Sequence, residues 1–224
     1  MGKKDEMMSQ ISQKLEDGYT CLKLKIGALN FEEELDLLRY LRKHYTSDML
    51  EVRVDANGAF KPNEALEYIK QLAEYNLHSI EQPIPAGNIE SMAKLCESSP
   101  IPIALDEELI GINSLAAKKK LIETIRPSYL VLKPGLLGGI ASCKEWIELA
   151  SEYKTSWWIT SALETNIGLN AIAQWTYTLN NPMAHGLSTG SLFKDIIPSP
   201  LYRTGERLYY NPDINWDLSD FNNV

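Results

Sequence analysis

Three acidic residues close runs that are otherwise apolar: Asp55 after Val52-Arg53-Val54, Glu81 after Ser79-Ile80, and Asp106 after Ile101-Pro102-Ile103-Ala104-Leu105. Each precedes a turn-like segment (Ala56-Asn57-Gly58, Gln82-Pro83, Glu107). Adjacent strands of a sheet lie about 4.8 Å apart, so acids ending three successive strands would converge within a few Å. Three such anions stay ionised together only beside a cation. Hard oxygen ligands that leave room for water and a substrate carboxylate suit octahedral Mg²⁺, with Mn²⁺ as its substitute. Taken singly, any one of these acids reads as a helix N-cap or a solvated loop residue. The argument for metal rests on the three being in step.

Lysines flank the acids. Lys23 and Lys25 are two residues apart in Cys21-Leu22-Lys23-Leu24-Lys25-Ile26 and so share one face of a strand, with the leucines on the other. A half-exposed edge strand would alternate in the same way. Lys133 ends Tyr129-Leu130-Val131-Leu132 and could form an ion bridge with Asp106. In chain order the series is lysine, three carboxylates, lysine. Closed into a ring, it places Lys25 and Lys133 on opposite sides of a metal. A cation beside a substrate carboxylate stabilises the enediolate left when a proton is removed next to it, and a lysine kept from water beside other cations is a better base.

The elements that must hold these residues alternate. Short strand patterns end near Lys25, Asp55, Glu81, Asp106, Lys133, Ser161 and Ser188, roughly 25 to 30 residues apart, which is one βα unit per step. Helical spacing fills the intervals. Asn30 is an N-cap with Glu33 three residues on, Pro62 fits a first helical turn, and further helices run from about Asn88 to Cys96, Ser114 to Ile125, through Ile140 and Trp146, and from Leu169 to Leu179. Parallel strands with right-handed crossovers follow. Seven consecutive units without a GxGxxG turn after the first strand indicate a TIM-type (β/α) barrel rather than a dinucleotide-binding sheet. Arg53 points inward with Asp55, as a charge partner lower in the barrel. Asn57 is placed to orient Asp55. His44, His78, His185 and the tryptophans read as packing residues.

The chain has 224 residues, with 30 acidic against 22 basic side chains and a net charge of −8. That balance excludes a basic nucleic-acid face. No apolar run approaches a membrane span of about 18 residues, the first residues lack a signal-peptide core, and Cys21, Cys96 and Cys143 form no CxxC pair. The expectation is a soluble cytoplasmic enzyme with a small carboxylate substrate, without nucleic acid or membrane partners, and with room for an oligomer.

Together these motifs resemble the enolase superfamily, in its muconate-lactonising-type subgroup. Lys23-Leu24-Lys25 matches its KxK motif, Asp55 (in DAN), Glu81 (in EQP) and Asp106 (in DE) its metal ligands, and Lys133-Pro134 its second lysine. Thr160 to Gly168 and His185 to Gly190 are similar to the o-succinylbenzoate synthase family, and Leu187-Ser188-Thr189 lacks the acidic pair of dipeptide epimerases. The resemblance implies Mg²⁺-dependent dehydration of a succinyl-hydroxycyclohexadiene carboxylate in menaquinone biosynthesis. In it, Lys25 takes the α-proton, Lys133 faces the enediolate, Lys23 supports Lys25, and Ser161 and Gly186 contact the succinyl tail. N-succinylamino acid racemisation is one alternative, and an inactive barrel fragment another. Residues 1–224 are then the C-terminal barrel domain with a tail from 191, short of the family's first strand and N-terminal capping domain. That shortfall leads to an expectation of exposed strand edges and weak activity.

Overall fold

The computed structural model describes residues 4–187 and 197–217. Helix α1 (Lys4–Glu16) leads into β1 (Cys21–Lys25), α2 (Phe31–His44), β2 (Glu51–Asp55), α3 (Ala65–Leu72), β3 (Ser79–Glu81), α4 (Ile89–Ser98), β4 (Ile103–Leu105), α5 (Leu115–Ile125), β5 (Tyr129–Leu132), α6 (Gly139–Glu152), β6 (Ser156–Ile159) and α7 (Asn166–Thr178). The six strands form one parallel sheet in chain order, the arrangement that βα crossovers generate. The sheet curls into a half-barrel with its helices outside.

Two cores show which way each strand residue faces. Leu22, Leu24, Val52, Val54, Ile80, Ile103, Leu105, Leu130, Leu132 and Ile159 join the large core beneath the helices. Ala104, Val131 and Trp158 form a separate cluster, joined by Tyr129 and Met183, on the inner face. The alternation in β1 therefore belongs to a curled sheet, with Lys23 and Lys25 on its inner side.

Arg53 occupies the floor of that side, with its guanidinium 4.2 Å over the Trp158 ring. It donates to Glu51 Oε1 at 2.7 Å and to the Ala184 carbonyl at 3.0 Å. It is the lower charge partner the sequence indicated. His78 lies against Tyr129 with ring centroids 4.8 Å apart. The His185 Nδ1 accepts from the Ile159 N–H at 3.0 Å, and Tyr40 packs on His44 at 4.8 Å. His78 and His185 pack as expected, while His44 is exposed at the end of α2.

Local chemistry sets the boundaries. Asn30 caps α2, its side chain accepting from the Glu32 N–H at 3.0 Å, and Ser114 caps α5 through the Ala117 N–H. The neighbouring acid with the structural role is Glu34, not Glu33. Buried, it turns its Oε1 onto the N–H groups of Gly27, Ala28 and Leu29 at 2.7, 3.1 and 3.0 Å, fixing the loop that follows Lys25. Pro62 stands in a turn three residues ahead of α3, so that helix opens one turn later than its proline implied.

Two further differences concern the chain after α7. The expected seventh strand reduces to one parallel bridge, Thr160 to Gly186, and Ser188, Thr189 and Gly190 lie outside the described residues. Residues Leu201–Thr204 (β7) and Arg207–Tyr210 (β8) form an antiparallel hairpin that the βα rhythm did not foretell. Its turn residue Glu206 accepts from both the backbone N–H and the hydroxyl of Thr20 at 2.8 Å, at the entrance to β1.

Candidate active site

The charged residues gather at the C-terminal ends of the strands. Lys25 pairs in register with Asp55 across β1 and β2, and Asp55 pairs with Glu81 across β2 and β3. Glu81 is opposite Ala104, which places Asp106 two residues further along but on the same face. Leu105 is opposite Leu130, so Lys133 steps up again beyond β5. The ring of charges therefore rises as it goes round, the stagger that strand tilt imposes on a curled parallel sheet.

Asp55, Glu81 and Asp106 are all buried, and each meets lysine ammonium at one of its carboxylate oxygens. Lys23 bridges Asp55 Oδ2 and Glu81 Oε1 at 2.9 Å each. Lys25 lies 3.2 Å from Asp55 Oδ2 and also donates to Asn57 Oδ1. Lys133 donates to Asp106 Oδ2, the ion bridge the sequence allowed. Among the described residues, no three carboxylates, imidazoles or thiols are drawn together as ligands around one ion; lysines sit between the acids instead.

The electrostatics of the cluster are uneven. Burial alone would lower Lys23, but the Glu81 and Asp55 carboxylates outweigh it and hold its ammonium above the ordinary lysine range. Burial would raise Asp55, yet Lys23 and Lys25 keep it below the ordinary carboxylate range, helped by the Asn57 N–H at 3.0 Å. Glu81 is different: burial, with Asp55 and Asp106 adding, pushes it up to about 8 against the pull of Lys23. Its Oε2 is buried with no hydrogen-bond partner. A buried carboxylate oxygen without a donor is costly, and a small hard cation on the inner face would satisfy it. The donor set of three carboxylates fits a divalent ion on that ground.

The remaining residues singled out from the sequence fall on the far side of the half-barrel. Ser161 is buried after β6, its N–H and hydroxyl both directed at the Gly186 carbonyl, at 3.0 and 3.2 Å. The Gly186 N–H bonds back to Ile159 at 2.9 Å. A methyl group on Gly186 would lie 2.5 Å from Thr160 Oγ1, so the close approach of these segments requires glycine.

Sequence reasoning passed over Gln82 and Glu108. Both are buried, and they link the turns that carry Glu81 and Asp106: Gln82 Nε2 donates to Glu108 Oε2 at 3.1 Å. Their signal was present, since Gln beside one strand-end acid and a second acid close after another are unusual in enclosed chain.

Residues 6–209 match the family model described as enolase C-terminal domain-like. Over 201 residues the chain is 50% identical to o-succinylbenzoate synthase of Desulfotalea psychrophila, which covers 90% of this chain and 54% of the relative. The crystal structure of MenC from Desulfotalea psychrophila LSv54 superposes with a TM-score of 0.86 at 48% identity, covering 93% of this chain and 57% of that one. The N-succinyl-L-Arg/Lys racemase of Bacillus cereus is 23% identical over 222 residues, 95% of this chain and 58% of the relative. The chain thus spans little more than half the length of these relatives. With the βα order, the KxK strand and the rising ring of acids all in place, it belongs to the enolase C-terminal domain-like family.

Proposed function

We propose that this chain is the barrel domain of a Mg²⁺-dependent carbon–oxygen lyase of the o-succinylbenzoate synthase kind, acting in the cytoplasm within menaquinone biosynthesis. The observation that carries the reading is the placement of Lys25 and Lys133 at opposite ends of one inner-face series containing Asp55, Glu81 and Asp106. The 50% identity to an o-succinylbenzoate synthase supports the substrate class.

Asp55, Glu81 and Asp106 would hold the divalent ion, Mg²⁺ or in its place Mn²⁺. When bound, the ion supplies positive charge beside the substrate carboxylate. Lys25, reachable from solvent, takes the proton next to that carboxylate and returns it to the departing hydroxyl. Lys23 lies between Asp55 and Glu81 and holds Lys25's neighbourhood cationic. Lys133 faces the developing negative charge from the other side. Ser161 and Gly186 border the space for the succinyl tail.

A second reading, racemisation of an N-succinylamino acid, is favoured by the same pair of lysines, since two bases on opposite faces suffice to invert a carbon. Two assays separate the readings: dehydration of the succinyl-hydroxycyclohexadiene carboxylate before and after EDTA, and exchange of an N-succinylamino acid α-proton with solvent deuterium. Metal-dependent dehydration lost in both Lys25→Ala and Lys133→Ala supports the lyase. Full activity in either variant overturns it, and exchange without dehydration favours the racemase.

A further inference from the structure

Gln82 follows Glu81 directly and has φ of 39°, a left-handed conformation costly for a residue with a long side chain. Strain of this kind persists where the surroundings fix the residue from several directions, and here they do. Its amide nitrogen donates to the Ile84 carbonyl at 3.0 Å and to Glu108 Oε2 at 3.1 Å. Its amide oxygen accepts from the N–H groups of Asp106 and Glu108, each at 3.2 Å. All four hydrogen-bonding positions of the side chain are used.

The backbone of the same residue reaches the other two strands. The Gln82 N–H donates to Ala104 at 2.9 Å, and its carbonyl accepts from Gly58 at 2.7 Å, in the turn after Asp55. Glu108 then extends the grip by accepting from the Gly87 N–H at 2.8 Å. A single residue therefore touches the turns after β2, β3 and β4, which are the three that carry Asp55, Glu81 and Asp106.

We infer that Gln82, braced by Glu108, is the positioning residue that sets the spacing of the three carboxylates for a divalent ion. The inference rests on the divalent-ion reading above and adds to it how the ligands are held. Gln82 contacts no substrate in this role. Its work is to hold the Asp106 N–H, and with it the third carboxylate, at a fixed offset from Glu81. Residues that orient ligands in this way are worth about 10- to 100-fold in ion affinity.

The test is calorimetric titration of the purified chain with Mn²⁺ alone, without substrate, together with thermal melting with and without the ion. Gln82→Ala and Glu108→Ala should each weaken Mn²⁺ binding by about tenfold or more and shrink the rise in melting temperature that the ion gives the parent. Ile172→Ala, which cuts a buried side chain in α7, serves as the control. It should lower melting while leaving Mn²⁺ affinity at the parental value, which separates positioning from general stability. If Gln82→Ala fails to fold, Glu108→Ala carries the same expectation, because it leaves the Gln82 backbone untouched. Binding within twofold of the parent in the folded variants overturns the role of Gln82 while leaving the divalent-ion reading intact. Absence of Mn²⁺ binding by the parent overturns both.

Discussion

Lys133, just past β5, donates its ammonium to the carboxylate of Asp106, just past β4. The pairing makes the lysine a competitor for the oxygen that a divalent ion would use. Lys133→Ala should therefore lower turnover by about 10²- to 10⁴-fold while leaving Mn²⁺ affinity equal to or tighter than the parent, because a like charge has been removed from beside the ion. Asp106→Ala should lose both. Turnover and titration measured on the same preparations check this, and weaker ion binding in Lys133→Ala would contradict the competition.

Gly27 closes the strand that presents Lys25. Its φ is 86°, and a methyl group there would lie 2.4 Å from the Ala59 Cβ. Left-handed backbone costs a residue with a Cβ about 1–2 kcal/mol, and overpacking adds about 1–3. Gly27→Ala should lose on the order of 2–5 kcal/mol in urea unfolding by these two effects. Gly18→Ala, where a methyl group meets open space, should show the backbone cost alone.

Lys118 in α5 is fully buried, yet its ammonium bonds to the Ser142 carbonyl, the Ser142 hydroxyl and Glu145 of α6 at 3.1, 2.6 and 2.8 Å. Removing the whole stem leaves a cavity, so Lys118→Ala should cost about 2–5 kcal/mol. Glu145 is half-exposed, and Glu145→Ala, which leaves Lys118 its two Ser142 bonds, should cost less, about 1–3 kcal/mol. Equal losses from the two in urea unfolding would show that charge pairing, rather than packing, dominates this contact.

Burial holds His78 and His185 below the ordinary imidazole range, and the Arg53 charge lowers both further. The unfolded chain then binds protons that the folded chain refuses. The stability these residues give is complete above the ordinary value of 6.5 and is lost as pH falls through their folded values. Glu81, raised to about 8, works in the opposite sense, giving stability that fades as pH climbs toward that value. The contrast with His78→Gln/His185→Gln removes Glu81 from the comparison. The parent should lose more stability than this variant between pH 7.5 and 5.5 in urea unfolding, and identical slopes would refute the histidine contribution.

Strand order, the inward lysines and the acid at each strand end were legible because a curled parallel sheet forces a period of two along each strand and one βα unit per step. Asn30 read correctly as a cap, since its short oxygen-bearing side chain acts within its own turn. What escaped the sequence depends on contacts between distant turns. Nothing in the spacing of Gln82 and Glu108 says that they meet, and Glu34 was overlooked because the capping box pointed one residue earlier. The hairpin at Leu201–Tyr210 follows a different rule from the βα rhythm, so extrapolating the rhythm could not reveal it. Convergence of the acids was inferred from strand spacing, and the Lys133–Asp106 bridge was allowed, but spacing does not show that Lys23 lies between Asp55 and Glu81.

The bond from Glu206 to Thr20 joins residues 186 positions apart. During synthesis, β1 and its two lysines emerge well before the residue that pins their entrance. Long-range contacts of this sort slow folding and lengthen exposure to aggregation. The entrance to the lysine-bearing strand is thus tied by a contact that forms only after the other five strands have been translated.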